Sequence, residues 1–277
     1  VNYLLAVSGG VDSVVLLDMF SKANNHVIVA HVDHGIRGEE SAADARFVKE
    51  LAKKYKVPFV SIELGLSSKA SEEVARAARY EFLLSEATKF KAMVVTAHHQ
   101  DDVIETIALN IDRGTGWRGL AALNRLGVVR PLLGFTKQQI YNYAIEHHLE
   151  WVEDATNREL IYARNRMRHA MGKTQINSGR LMELRARQLQ LAHDIDVDAA
   201  RLIARHKGDR HFLNMVPEAV AIELLGAEIA EIATRPTRPR LKRAVLAIKT
   251  AVPGSTHQIG DRVTLEFTAR NYTVRVV

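Results

Sequence analysis

The chain has 277 residues, enough for about two domains of ordinary size. Hydrophobic residues make up 47% and charged residues 25%, which excludes a disordered or collagen-like polymer. No apolar run approaches the roughly 18 residues of a membrane span, and the start does not read as a signal peptide, so a soluble cytoplasmic protein with no membrane partner is expected. Cysteine is absent, which excludes a disulfide framework, a thiolate metal site and a cysteine nucleophile. The net charge is +6, unevenly placed: residues 1–170 carry 21 Lys and Arg against 21 Asp and Glu, and residues 171–277 carry 17 against 11. A neutral catalytic body with a basic appendage for a polyanion fits that distribution; a merely solvated basic surface fits it too.

In chain order, residues 4–7 are a short apolar run that breaks into Ser8-Gly9-Gly10 and resumes at residues 14–17, predicting strand, glycine turn and helix. Residues 27–30 read as a second strand. Ser41-Ala42-Ala43-Asp44 has the form of a capping box that opens a helix through Phe47, Leu51 and Tyr55. Pro58 introduces a strand at 59–62, and Ser71 opens a helix carrying Val74, Ala78 and Phe82. A strand at 93–96 follows, then a helix from about Asp102 to Ile111. Short buried strands alternating with amphipathic helices predict an α/β fold, an open parallel sheet with helices on both faces. The pattern does not encode the strand order.

Thr136-Lys137-Gln138-Gln139 is a second capping box, before a helix with Ile140, Tyr143 and Ala144 on one face. Beyond it the pattern is helical from Ser178 to about Arg205 and again from Pro217. Residues 235–240 read as a linker before a further short helix. Residues 263–267 and 272–276 alternate around Arg270-Asn271 as a terminal β hairpin would. The expected division is a catalytic domain, 1–172, and a smaller, mainly helical basic domain, 173–277.

Chemistry concentrates where strands end. Ser8-Gly9-Gly10-Val11-Asp12-Ser13 lies between the first strand and first helix, where open parallel sheets bind ligands. Its glycines let backbone approach an anion, and N–H groups, hydroxyls and the positive helix end can surround a phosphate. A simple glycine turn with Asp12 or Ser13 as cap is the competing reading. His31-Val32-Asp33-His34-Gly35-Ile36-Arg37 follows the second strand. His98-His99-Gln100-Asp101-Asp102 leads into Glu105 on one helix, where stacked acids repel unless a cation offsets them. A divalent metal or a cationic substrate accounts for all three acids; the preference of helix N-termini for acids accounts for Asp101 and Asp102 alone.

Arginines form three further groups: Arg76 and Arg79 beside Tyr80 at helical spacing, Arg113 and Arg118 in a glycine-rich turn over 113–120, and Arg164, Arg166 and Arg168 in a dense patch. Arginine suits bidentate phosphate contact, although surface solvation or a helix C-cap accounts for each group in isolation.

Taken together these segments resemble the N-type ATP pyrophosphatases, whose loop reads Ser-Gly-Gly-x-Asp-Ser, and within them the tRNA(Ile)-lysidine synthases. The resemblance covers about residues 3–170 and is carried by 8–13, 31–37, 73–80, 96–106, 113–120, 130–133 and 153–168. It implies an adenine nucleotide alpha hydrolase-like, Rossmann-like fold and ATP and magnesium as cofactors. It also implies an isoleucine tRNA with a CAU anticodon and free L-lysine as partners. The implied reaction adenylates the wobble cytidine at carbon 2, releasing pyrophosphate, and the lysine ε-amine then displaces AMP. On this resemblance Ser8, Gly9, Gly10, Val11, Asp12 and Ser13 hold the ATP phosphates, with His31 and Asp33 near the nucleotide. Asp102, Glu105 and Arg164 are the catalytic candidates, and Asp12 and Asp102 the magnesium candidates. Arg76, Arg79, Arg113, Arg164 and Arg168 hold phosphate or cytidine. The basic second domain is expected to contact tRNA or a partner subunit, so a homodimer is among the expectations.

Lack of cysteine separates the chain from tRNA thiolases that share the loop, because those use cysteine to carry sulfur or hold a cluster. Two other classes stay open from the residues alone. One is a metal-dependent phosphohydrolase using His31, Asp33, His34, His98, His99 and Asp102 as ligands. The other is a non-catalytic RNA-binding protein.

Overall fold

The computed structural model describes residues 1–23, 25–33, 39–65, 72–153, 177–260 and 262–276. Two compact units emerge: Val1–Leu109 with Leu123–Met182, and Asn110–Ala122 with Glu183–Val277. The boundary expected near residue 172 falls outside the described residues.

In the first unit, β1 (Asn2–Ala6), β2 (His26–Asp33), β3 (Phe59–Glu63), β4 (Ala92–Thr96) and β5 (Val128–Val129) form one parallel sheet in the order β3-β2-β1-β4-β5. Helices α1 (Val11–Lys22), α2 (Glu39–Lys54), α3 (Glu72–Lys89), α4 (Gln100–Asp112) and α5 (Lys137–Glu146) connect the strands or follow them. Alternate β1 residues serve opposite faces. Leu5 packs with Val14, Leu17, Val48 and Ile140 from α1, α2 and α5, whereas Leu4 and Ala6 pack with Tyr80, Leu83 and Ala87 of α3. Both faces are thus covered, which is why the strands read as unbroken apolar runs.

From β1 the chain winds outward through β2 to β3, then returns to place β4 on the other side of β1. The order reverses between β1 and β4, so the crevice at their carboxyl ends is the topological switch point of the sheet.

Several helix starts shift from expectation. Helix α2 begins at Glu39, so Ser41 lies inside it rather than capping it, and α4 begins at Gln100, two residues before Asp102. The α3 cap expected at Ser71 lies outside the described residues. The Thr136 capping box is present, with Gln139 N–H donating to Thr136 Oγ1 and Thr136 N–H to Gln139 Oε1.

The second unit is mainly helical: α6 (Ser178–His206), whose first turns belong to the first unit, α7 (Arg210–Met215), α8 (Glu218–Ala230) and α9 (Arg238–Thr250). The segment expected as linker therefore already contains the start of α9. The chain ends in three antiparallel strands, β6 (Thr256–Ile259), β7 (Val263–Phe267) and β8 (Tyr272–Val276). The expected hairpin is β7–β8, with Phe267 opposite Tyr272; polar β6 adds a third strand that hydropathy does not mark. The core joins Ile222, Leu225 and Ile229 of α8 to Leu241 and Ile248 of α9 and Leu265 of β7. Among the described residues no helix is long and apolar enough to cross a membrane.

Candidate active site at the sheet switch point

The loop after β1 turns sharply because Gly9 takes φ +95°, a conformation that side chains with a Cβ rarely adopt. Ser13, buried in the first turn of α1, binds the loop from inside. Its Oγ accepts from the N–H groups of Ser8 and Gly9 at 3.2 Å each and donates to the Gly10 carbonyl at 2.8 Å. Ser8 is exposed, with its Oγ 3.3 Å from that of Ser13. The start of α1 brings the N–H groups of Val11 and Asp12, too early in the helix for an intrahelical acceptor, to the same loop. Val152 N–H donates to the Gly9 carbonyl at 3.0 Å and so supports the turn from a distant segment.

Across the switch point, α4 starts with His99 buried among carboxylates. Its Nε2 lies 3.5 Å from Asp102 Oδ2 and 3.9 Å from Asp12 Oδ1. Its Nδ1 is 3.3 Å from Asp101 Oδ2 but too poorly aligned to form a hydrogen bond. Asp102 Oδ2 also accepts from the His99 N–H at 2.9 Å, closing the helix start. Asp101 Oδ2 accepts from the Lys137 N–H at 2.7 Å at the start of α5. One oxygen of each acid therefore does the capping work expected at a helix N-terminus. Glu105, one turn on, is buried.

Of the residues expected near a nucleotide, His31 is buried with Nδ1 2.9 Å from the Val7 carbonyl, and Asp33 ends β2 half-buried. His98 Nδ1 lies 2.8 Å from Thr96 Oγ1. Arg76 and Arg79 are half-buried on α3, with the Arg76 guanidinium 5.3 Å from the Tyr80 ring centre. Arg113 is exposed and belongs to the second unit. Arg164, Arg166, Arg168, His34 and Arg37 lie outside the described residues.

Two residues have no role in the sequence reading. Lys137 Nζ lies 2.6 and 2.7 Å from the two carboxylate oxygens of Asp12. Its signal was a cation at the first position of a helix, where the dipole favours acids. Arg130, directly after β5, is 9% exposed; Nη1 donates to the Val128 carbonyl at 3.2 Å, while Nε and Nη2 are buried without a hydrogen-bond partner. A buried guanidinium with open donors suits an anion.

The carboxylates of Asp12 and Asp102 converge on one histidine nitrogen from opposite sides of the switch point. Magnesium takes one or two carboxylates together with phosphate oxygens, so Asp102 and, once the Lys137 ammonium yields its oxygens, Asp12 are the residues that could hold it. Among the described residues no three His, Asp or Glu side chains group as ligands of a tightly held metal, as the phosphohydrolase reading requires.

A profile of the PP-loop domain matches residues 1–175. The tRNA(Ile)-lysidine synthase of Actinobacillus pleuropneumoniae is 36% identical over 177 residues, 61% of this chain and 41% of that protein. That of Geobacter sulfurreducens is 36% identical over 216 residues, 72% of this chain and 46% of that protein. The chain thus spans less than half the length of these curated relatives. Among solved structures, an ammonia-dependent NAD synthetase from Campylobacter jejuni matches with a TM-score of 0.40 and 17% identity, over 68% of this chain and 82% of that one.

Proposed function

Because this chain belongs to the PP-loop domain family, we propose that it is an ATP-consuming, tRNA-modifying ligase of the lysidine-forming type. The observation that carries the reading is the convergence of Asp12, from the glycine loop, and Asp102, from the start of α4, on His99 at the switch point. Similarity to tRNA(Ile)-lysidine synthases supports the choice of substrate.

In the proposed reaction the C2 carbonyl oxygen of the wobble cytidine attacks the α-phosphorus of ATP, and the bond to pyrophosphate breaks. The lysine ε-amine then attacks C2 and AMP leaves. The exposed Ser8 hydroxyl, the Gly10 and Val11 N–H groups and the helix end hold the triphosphate, with Ser13 keeping the Ser8–Gly9 turn in shape. His31 and Asp33, at the end of the adjacent strand, line the nucleotide side. Asp12 and Asp102 would hold magnesium, which supplies positive charge to the leaving pyrophosphate. Lys137, at Asp12, adds a cation that can follow the developing negative charge.

Glu105, with Asp102 where it does not serve the metal, binds the lysine ammonium, and one of the two takes its proton before attack. Holding amine and activated carbon together turns an encounter between two substrates into a local step. Arg76, Arg79, Arg113, Arg164 and Arg168 serve phosphate or cytidine, and the basic second unit supplies further cationic surface for tRNA.

The test follows pyrophosphate release from ATP with unmodified isoleucine tRNA of anticodon CAU, with and without lysine. Lysine-dependent turnover with AMP formation is expected. Equal release with any tRNA, or release of inorganic phosphate alone, overturns the assignment.

A further inference from the structure

Two neighbouring cavities lie wholly within the second unit. The larger, about 390 Å³, is walled by Trp117, Ile195, Leu202, Val220 and Leu224, with Arg238 among its polar residues. The smaller, about 230 Å³, is lined by Thr115, Arg118, Arg235, Thr237 and Arg238. Trp117, Glu223 and Arg238 belong to both.

Charge around the smaller cavity does not balance. Glu223 accepts from Arg118 Nε at 2.8 Å and from Arg235 Nη2, and lies 3.7 Å from Arg238 Nη1. Arg118 also pairs with Asp196 at 2.7 Å. Three guanidiniums therefore share two carboxylates. Arg238 is the least engaged, with its side chain 43% exposed. Burial first, and then the charge of Arg118, pushes Arg235 below the ordinary arginine value, as expected where cations outnumber anions. Arg235 is also seated with care: it lies against Gly226 of α8, where a Cβ would come 2.5 Å from its guanidinium carbon.

The larger cavity complements this cationic one. Its volume falls within the range of about 300–1,000 Å³ typical of small-molecule pockets, and its walls are apolar apart from a few polar groups. Arg118 covers the Trp117 ring at 4.7 Å and lines only the smaller cavity, whereas Trp117 lines both.

We propose that the two cavities form one site for a nucleoside monophosphate, its base against Trp117 in the apolar compartment and its phosphate held by Arg235 and Arg238 in the cationic one. Every nucleobase offers a face to an aromatic ring, and arginine meets phosphate through paired N–H donors. The same unit occurs free or within an RNA strand. The site stands independently of the reaction proposed above.

Trp151→Phe leaves Trp117 as the single tryptophan of the chain. That protein is titrated with AMP, CMP, inorganic phosphate and a tRNA transcript while Trp117 emission is followed. Saturable quenching is expected, and Arg238→Ala should weaken the affinity by about tenfold at unchanged melting temperature. Quenching by free nucleotides assigns the free form; quenching by the transcript alone assigns a nucleotide of RNA. No response to any of them, or equal affinity in the Arg238→Ala protein, overturns the site. Lysine-dependent pyrophosphate release on the same protein reports separately on the proposed reaction.

Discussion

Lys137 and Asp12 are 125 positions apart, and the ammonium of one sits 2.6 and 2.7 Å from both carboxylate oxygens of the other. Both side chains are partly exposed, so as an ion pair they contribute only about 0–1 kcal/mol to stability. Lys137→Ala should leave the melting temperature nearly unchanged and lower kcat for pyrophosphate release by about 100-fold, the scale of losing one donor to developing charge. Lys137→Arg should restore part of the rate. A fall in melting temperature with unaltered kcat would make the lysine a strut.

Asp102 closes the start of α4 and is proposed to take part in the chemistry, and two substitutions separate the two. Asn can still accept from the His99 N–H, whereas Ala cannot. Asp102→Asn should therefore keep most of the stability, and Asp102→Ala should lose about 1 kcal/mol. Both should lose about 100-fold or more in lysine-dependent AMP formation. Denaturant melts beside single-turnover kinetics decide the matter.

Arg130 carries a buried charge with two unpartnered donors, an arrangement that costs stability unless a ligand anion completes it. Arg130→Met should raise the denaturation midpoint of the free protein and depress turnover. A destabilised but active variant would show that the guanidinium serves only the fold.

Gly9 holds φ +95°, and an added Cβ would meet Phe47 and Val48 at 3.4 Å. Gly9→Ala should cost about 1–2 kcal/mol from the backbone conformation alone. It should also raise the KM for ATP, because the displaced turn is the one proposed to hold the phosphates. Chemical denaturation and ATP titration read the two effects independently.

Asp18 is buried on α1 and gathers Lys22, Tyr55 and Tyr143, each 2.8 Å away. Burial alone would raise its carboxyl, but the hydrogen bonds from Lys22, Tyr143 and Tyr55 outweigh it and hold the value below the ordinary one. The stabilisation is therefore complete above about pH 4 and disappears as pH falls through the lowered folded value. Asp18→Asn should lose about 2 kcal/mol at neutral pH and flatten the acid limb of the stability curve. Urea melts between pH 2 and pH 7 measure both, taking the unfolded carboxylate value near pH 4 as reference.

Strands β1 to β4 are legible because apolar runs mark them, and the Thr136 capping box because its chemistry is local, whereas two-residue β5 carries no run of its own and is a strand only through its pairing with β4. The α2 start was misplaced since Ser41 matches a cap pattern that the helix overruns by beginning at Glu39. Polar β6 was invisible because its pairing with β7, rather than its own hydropathy, makes it a strand.

The candidate site divides the same way. Ser8 to Ser13, Asp102 and Glu105 could be picked out by residue type and spacing, since phosphate cradles and stacked acids are short-range patterns. That β4 lies beside β1, bringing Asp102 and Asp12 to one histidine, depends on a strand order that no local pattern carries. Lys137 and Arg130 gain their meaning from what surrounds them: a carboxylate 125 residues away for one, and for the other the burial of two nitrogens with no hydrogen-bond partner among the described residues. Short-range chemistry was written in the sequence. The pairing of distant charges and the cost of burying them exist only once the chain is packed.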